Sequence, residues 1–167
     1  MKSQNITLSK SQAIRLARRG GFEGKASVTA SKQTIGSFGE GPVRGWLEAR
    51  GYKISDRALI IRAEDFGLDV FPSYRRWRMI EIATAEENLA VEVKTYGSHY
   101  LQGTVGDSLE EQLTDDLMWR KLSKGRTLAL AIVTYYGKPS IARSDLNFLK
   151  INRIPILRFI ITGMSGQ

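Results

Sequence analysis

The sequence predicts an α/β domain with a mixed central sheet flanked by helices, and three observations carry that expectation. Leu128 to Thr134 is an almost wholly apolar run, which fits a central strand buried on both faces. Strand, helix and strand follow one another there at the spacing of a parallel crossover. Upstream, the β-rich runs Arg75 to Ile82 and Leu89 to Thr95 are joined by a short polar turn, Ala83 to Asn88, which predicts an antiparallel hairpin. A sheet holding both kinds of pairing is mixed.

In chain order, Ser9 opens a Ser-x-x-Gln capping box with Gln12, and Gly20–Gly21 stop the helix that follows. Ala13, Ile14, Leu16 and Ala17 give this helix an apolar side; Arg15, Arg18 and Arg19 make it basic. Gly24 to Gly36 is small and polar and is expected to be a loop. Residues 1–35 therefore stand as an N-terminal basic helix and linker, and residues 36–167 as the domain proper. Phe38 to Arg50 is expected to be helical, with Pro42 in its first turn and Gly51 as its stop. Ala58 to Ile61 and Leu68 to Phe71 are short candidate strands. Ser108 and Glu111 form a second capping box, opening a helix to about Leu122. Ser144 is expected to cap a short helix to Lys150, and Ile154 to Ile161 to form the last strand.

The chain has 167 residues, 42% hydrophobic, enough for one domain with a core. Lys+Arg number 25 against 17 Asp+Glu, a net charge of +8. That surplus favours a polyanionic partner through counterion release. The absence of cysteine excludes disulfides and thiolate metal sites. There is no apolar run of membrane-spanning length and no signal-peptide pattern, so a soluble protein acting in the cytoplasm, without a membrane partner, is expected.

The chemistry concentrates in Leu89-Ala90-Val91-Glu92-Val93-Lys94-Thr95. In a strand, Glu92 and Lys94 point one way while Val91 and Val93 point the other. An acid and an amine inside a β-rich run are costly unless used or exposed. Glu81 lies 11 residues before Glu92, so a folded-back strand pair would bring it near both. Two carboxylates beside one amine suit a Mg²⁺ or Mn²⁺ ion, which takes one or two protein carboxylates plus water and phosphate. In the next helix Leu109, Leu113 and Leu117 form the buried stripe, bordered by Gln112 and Asp116. Glu40 is a further carboxylate, either a metal ligand or a cap beside Pro42. No step of this chemistry needs histidine or cysteine.

A helix with Glu40, then Arg78-x-x-Glu81, then Val91-Glu92-Val93-Lys94, then a helix with Gln112 resembles the PD-(D/E)XK superfamily of restriction-endonuclease-like nucleases, over roughly residues 36–160. The run Glu92-Val93-Lys94-Thr95-Tyr96-Gly97 followed by Glu111-Gln112-Leu113-Thr114-Asp115-Asp116 is similar to nuclease toxin domains of bacterial polymorphic and contact-dependent toxins. The resemblance implies a restriction-endonuclease-like fold and a divalent-metal endonuclease in which Glu92 ligates metal and Lys94 assists the water. It also implies delivery into a target cell and a cognate immunity protein. The family's first acid is usually Asp, and two residues compete for its place: Glu81, favoured by the short hairpin, and Asp69, in Gly67-Leu68-Asp69-Val70. A restriction, repair or mobile-element nuclease of the same fold, and a non-catalytic nucleic-acid-binding module, are the alternatives.

Arg75, Arg76 and Arg78 are candidates to grip phosphates, with Tyr74 and Trp77 beside them as candidate stacking groups. His99, just past the motif, is expected to be a surface residue. Lys121, Lys124 and Arg126 are expected to complement a helix dipole. DNA and RNA are both admissible substrates, and no oligomeric state is implied.

Overall fold

The apolar run from Thr127 to Thr134 forms β6, buried along almost its whole length, with β5 (Leu89–Tyr96) and β7 (Ile156–Thr162) parallel on either side. The computed structural model describes residues 1–20, 32–96, 109–135 and 141–163, with side chains from residue 39 onward in the second stretch. The other elements are β1 (Gln4–Ser9), α1 (Lys10–Arg19), α2 (Lys32–Ala49), β2 (Leu59–Arg62), a 3-10 turn (Ala63–Phe66), β3 (Trp77–Ile80), β4 (Ile82–Ala83), α3 (Leu109–Lys121) and α4 (Arg143–Ile151). The main sheet has five strands in the order β1-β7-β6-β5-β4, antiparallel only between β4 and β5. It is the mixed α/β sheet, flanked by helices, that the sequence predicts.

Strand periodicity sorts the core into two layers. Val91, Val93, Ala129, Ala131, Leu157 and Phe159 cluster with Val43, Trp46 and Leu47 of α2. Ala90, Leu128, Leu130 and Ile132 cluster with Leu109, Leu113 and Leu117 of α3 and Leu149 of α4. Glu92 and Lys94 share Ala90's side of β5. The period of two therefore turns both toward α3, whose Leu109-Leu113-Leu117 stripe is buried as expected.

The N-terminal residues, expected to stand apart from the domain, are built into it. β1 pairs in parallel with β7 from Gln4↔Leu157 to Ser9↔Thr162. The Ser9 capping box forms: Gln12 N–H donates to Ser9 Oγ at 3.2 Å and Ser9 N–H to Gln12 Oε1 at 2.8 Å. Sequence patterning missed β1 because Gln4-Asn5-Ile6-Thr7-Leu8 carries only two apolar residues and gains its partner from the far end of the chain.

Four local expectations are corrected. Helix α2 begins at Lys32, so residues 32–36 belong to a helix; the rest of the expected loop lies outside the described residues. Pro42 sits inside α2 rather than in its first turn, and Glu40 is a mid-helix residue, not a cap. Leu68 to Phe71 is not a strand. Phe71 is buried, but its N–H bonds Arg75 O at 2.7 Å in a closed loop. Ser144 lies within α4, whose N-cap is Ala142. The Ser108 capping box lies outside the described residues.

The expected hairpin forms only in part. Ile82 and Ala83 pair with Val91 and Ala90, and the turn is closed by Thr84, whose Oγ1 accepts the N–H groups of Asn88 and Leu89, both at 3.1 Å. Trp77 to Ile80 pair instead with Arg62 to Leu59 of β2, in a separate two-stranded sheet. The chain crosses from one sheet to the other at Glu81.

Helices α1 and α2 meet backbone to backbone. A Cβ placed on Gly45 would stand 1.9 Å from the carbonyl oxygen of Leu16. Alanine normally outranks glycine inside a helix by about 1 kcal/mol; here the sign should invert. Gly45→Ala is expected to lower stability by about 1–3 kcal/mol or more, read as a lower urea midpoint with an unchanged slope.

Candidate active site

Strands β3 and β5 and helix α3 place a set of charged side chains at one cleft of about 760 Å³. Arg75, Arg76, Trp77, Arg78, Met79, Glu81, Glu92, Lys94 and Gln112 line it. Glu92 is 2% exposed. Its Oε1 is 3.6 Å from Lys94 Nζ and 3.7 Å from Arg78 Nη2. Lys94 also donates to Gln112 Oε1, which joins the β5 amine to α3. Glu81 stands where the strand leaves the main sheet, and its Oε2 accepts the Val93 N–H at 3.0 Å, so a carboxylate takes the place of a ladder carbonyl.

Arg78 is buried, as its place between outward Trp77 and Met79 requires on a strand. Besides Glu92, its Nε faces Asp115 Oδ2 at 3.7 Å and Asp116 Oδ1 at 3.8 Å. Arg78, expected to grip phosphate, lines the cleft but is turned inward, with its guanidinium beside three buried carboxyl groups. Asp115, which sequence reasoning passed over, is fixed from its other side by the N–H and hydroxyl of Ser73, at 3.3 and 2.5 Å. The cue available was the Asp115-Asp116 pair in a helix whose leucine stripe faces inward. Two successive helical residues can straddle such a stripe, and here both are fully buried.

The structure brings Glu81, Glu92, Lys94 and Gln112 together in the lining of one cleft, and neither Asp69 nor Glu40 is among the lining residues. Asp69 is exposed after the 3-10 turn and lies outside the cleft lining, whereas Glu81 lines the cleft beside Glu92 and Lys94. Glu40 is half-buried, 3.9 Å from Arg44 one turn along α2, and also outside the lining. Arg75 and Arg76 are exposed and line the cleft. Asp116 lies beneath it, against Arg78. Lys121 is in the last turn of α3, and Arg126 donates to the last-turn carbonyl of Trp119 at 2.9 Å, as expected at a helix C-terminus, while also lying 3.7 Å from Glu87. His99 lies outside the described residues.

Burial shapes the protonation of this cluster. The Glu81 carboxyl is pushed up to about 8, first by desolvation and then by the charge of Glu92, against the pull of the Val93 N–H. Asp116 is raised well above the carboxylate range by burial, by the charge of Glu92 and by a hydrogen bond shared with the Glu92 carboxyl. Asp115 is raised by burial, opposed by its bonds to Ser73 and by Arg78. Four carboxyl groups thus gather around Arg78 and Lys94, with Arg75 also acting on Asp115. Protonation of the raised carboxyls relieves the crowding of negative charge.

Among the described residues, no three acidic or histidine side chains converge as ligands of one ion. A Mg²⁺ site completed by water and substrate phosphate needs only one or two carboxylates. Glu81 and Glu92 fit that smaller set in their donor chemistry, because both carboxyl groups line the cleft. Compared with protein-family profiles, with curated proteins and with solved structures, the chain matches none.

Two outcomes are expected in chelator. Glu81 binds a proton in the folded chain up to about 8 but releases it near 4.5 when unfolded. The folded state then holds more protons between those values, so stability falls as pH rises through that window. Glu81→Gln should flatten the decline in a series of urea melts. Arg78→Met, which keeps the apolar stem and removes the charge, should cost about 3–5 kcal/mol at pH 8 and less at pH 5, where the stranded carboxyls can protonate.

Proposed function

We propose that the chain is a divalent-metal-dependent nuclease of the restriction-endonuclease-like kind, with Glu81, Glu92 and Lys94 as its working residues. The observation that carries this reading is the buried Glu92, set between Lys94 and Arg78 in the cleft that Glu81 also lines. The basic chain and the exposed Arg75 and Arg76 at the cleft support a polyanionic substrate.

In this reading water attacks phosphorus and one P–O ester bond breaks, leaving a phosphate monoester and a hydroxyl. Glu81 and Glu92 would hold the cation. When bound, it supplies positive charge at the phosphoryl oxygens and acidifies water. Lys94 has three donors and spends one on Gln112. Its ammonium, 3.6 Å from Glu92, orients the incoming water and offers a proton to charge developing on phosphate. Gln112 acts by holding that ammonium in place. Arg75 and Arg76 fix the backbone on either side. The similarity of the Glu92–Asp116 stretch to toxin nucleases supports a toxin role restrained by an immunity protein, over a restriction or repair role.

A second reading has an observation of its own. The Arg78 guanidinium already neutralises part of the Glu92 charge, which favours a nucleic-acid-binding module without hydrolysis.

Incubating supercoiled plasmid, linear DNA and total tRNA with the chain, with Mg²⁺ or Mn²⁺ and with chelator, separates the two. Cleavage confined to the metal lanes is expected. Glu92→Gln and Lys94→Ala should each lower it at least a hundredfold while leaving the thermal melt cooperative. Full activity in either variant refutes the site, and no cleavage of any substrate leaves the binding reading.

A further inference from the structure

Strand β3 presents residues of one parity outward. Trp77 and Met79 are 54% and 46% exposed, while Arg78 and Ile80, of the other parity, are buried. Both outward residues line the cleft that holds Glu92 and Lys94. Same-side residues on a strand stand about 6.8 Å apart. Glu81 lines the same cleft, whose wall thus runs from an aromatic ring to a site carboxyl. Arg75 and Arg76 extend it beyond the ring and line the same cleft. Across the small sheet, exposed Arg62 stands opposite Trp77 and exposed Ile60 opposite Met79. The other two tryptophans, Trp46 and Trp119, are 5% and 2% exposed. A wet tryptophan on a cleft wall, with a thioether beside it and guanidinium groups around it, has no role in the packing of the core.

An indole surface bordered by arginines matches a ligand with flat apolar faces on an anionic backbone. In a duplex the base faces are hidden in the stack and only groove edges and phosphates are presented. Unpaired bases expose their faces and stack on aromatic side chains whatever their sequence. We infer that the Trp77–Met79 face is a stacking platform for unpaired nucleotides, so that the substrate of the cleft is single-stranded or looped nucleic acid rather than duplex. The inference rests on the proposed nucleic-acid function of the cleft but not on hydrolysis. Its charge complementarity favours a nucleic-acid strand over an apolar protein partner.

The full chain in chelator is titrated with oligo-dT, with oligo-U of equal length, and with a blunt DNA duplex, following tryptophan emission and anisotropy of an end label. A single strand is expected to quench emission and to bind at least tenfold tighter than the duplex. Trp77→Ala should weaken single-strand binding about tenfold and leave duplex binding unchanged. Trp77→Phe should retain the affinity without the quench, which excludes misfolding as the cause. The preferred oligomer tells DNA from RNA. Duplex binding as tight as single-strand binding, or single-strand affinity indifferent to Trp77→Ala, overturns the platform. The same probes with Mg²⁺ separate the two claims. Trp77-dependent binding without cleavage sinks hydrolysis alone, and cleavage of duplex with Trp77-independent binding sinks the platform alone.

Discussion

A guanidinium with almost no access to solvent must be surrounded by negative charge, and Arg78 meets that requirement with Glu92 from β5 and Asp115 and Asp116 from α3. Each of these groups would be costly to bury alone. Together they oblige β3, β5 and α3 to meet at one place. The contacts are 3.7–3.8 Å, ion pairs rather than short hydrogen bonds, so the arrangement is held by charge and enclosure more than by directional bonding. Ser73 adds the loop before β3 to the same knot through Asp115. The floor of the cleft is thereby set by the interior, before any substrate arrives.

The crossing at Glu81 is the second consequence. Trp77 to Ile80 pair with β2, Ile82 and Ala83 pair with β5, and the residue between has no ladder of its own. Its carboxyl takes the Val93 N–H instead. The strand change thus delivers an acid to the side of β5 that carries Glu92 and Lys94, while turning Trp77 and Met79 outward onto the wall of the same cleft. One change of sheet sets both the floor chemistry and the wall surface. The crowding of carboxyl groups in a buried place makes the cluster a holder of protons.

Much of this was legible in the residues. The Glu92-x-Lys94 spacing placed both groups on one side of a strand. The leucine stripe of α3 placed Gln112 beside them, and the Ser9 box and the apolar β6 run each formed where patterning put them. The partner of β3 was not legible. Arg75-Arg76-Trp77-Arg78-Met79-Ile80 carries apolar residues on both parities, so a period of two does not say which side faces inward. An inward Arg78 has the sequence of an outward one. Only the short hairpin favoured Glu81 over Asp69, since each lies near a short apolar run and only one such run joins the cleft.

What the sequence by itself determined were features governed by neighbours a few residues apart: caps, the helical stripe, the alternation of β5, and the basic surplus. Their physics is local, and side-chain period and charge report it directly. Only the tertiary structure decided that β1 closes the far edge of the sheet, that β3 pairs with β2, and that Arg78 turns inward against three acids. Those outcomes are competitions between distant segments for the same backbone partners and the same buried charge. They are settled by which complete arrangement leaves the fewest groups unsatisfied.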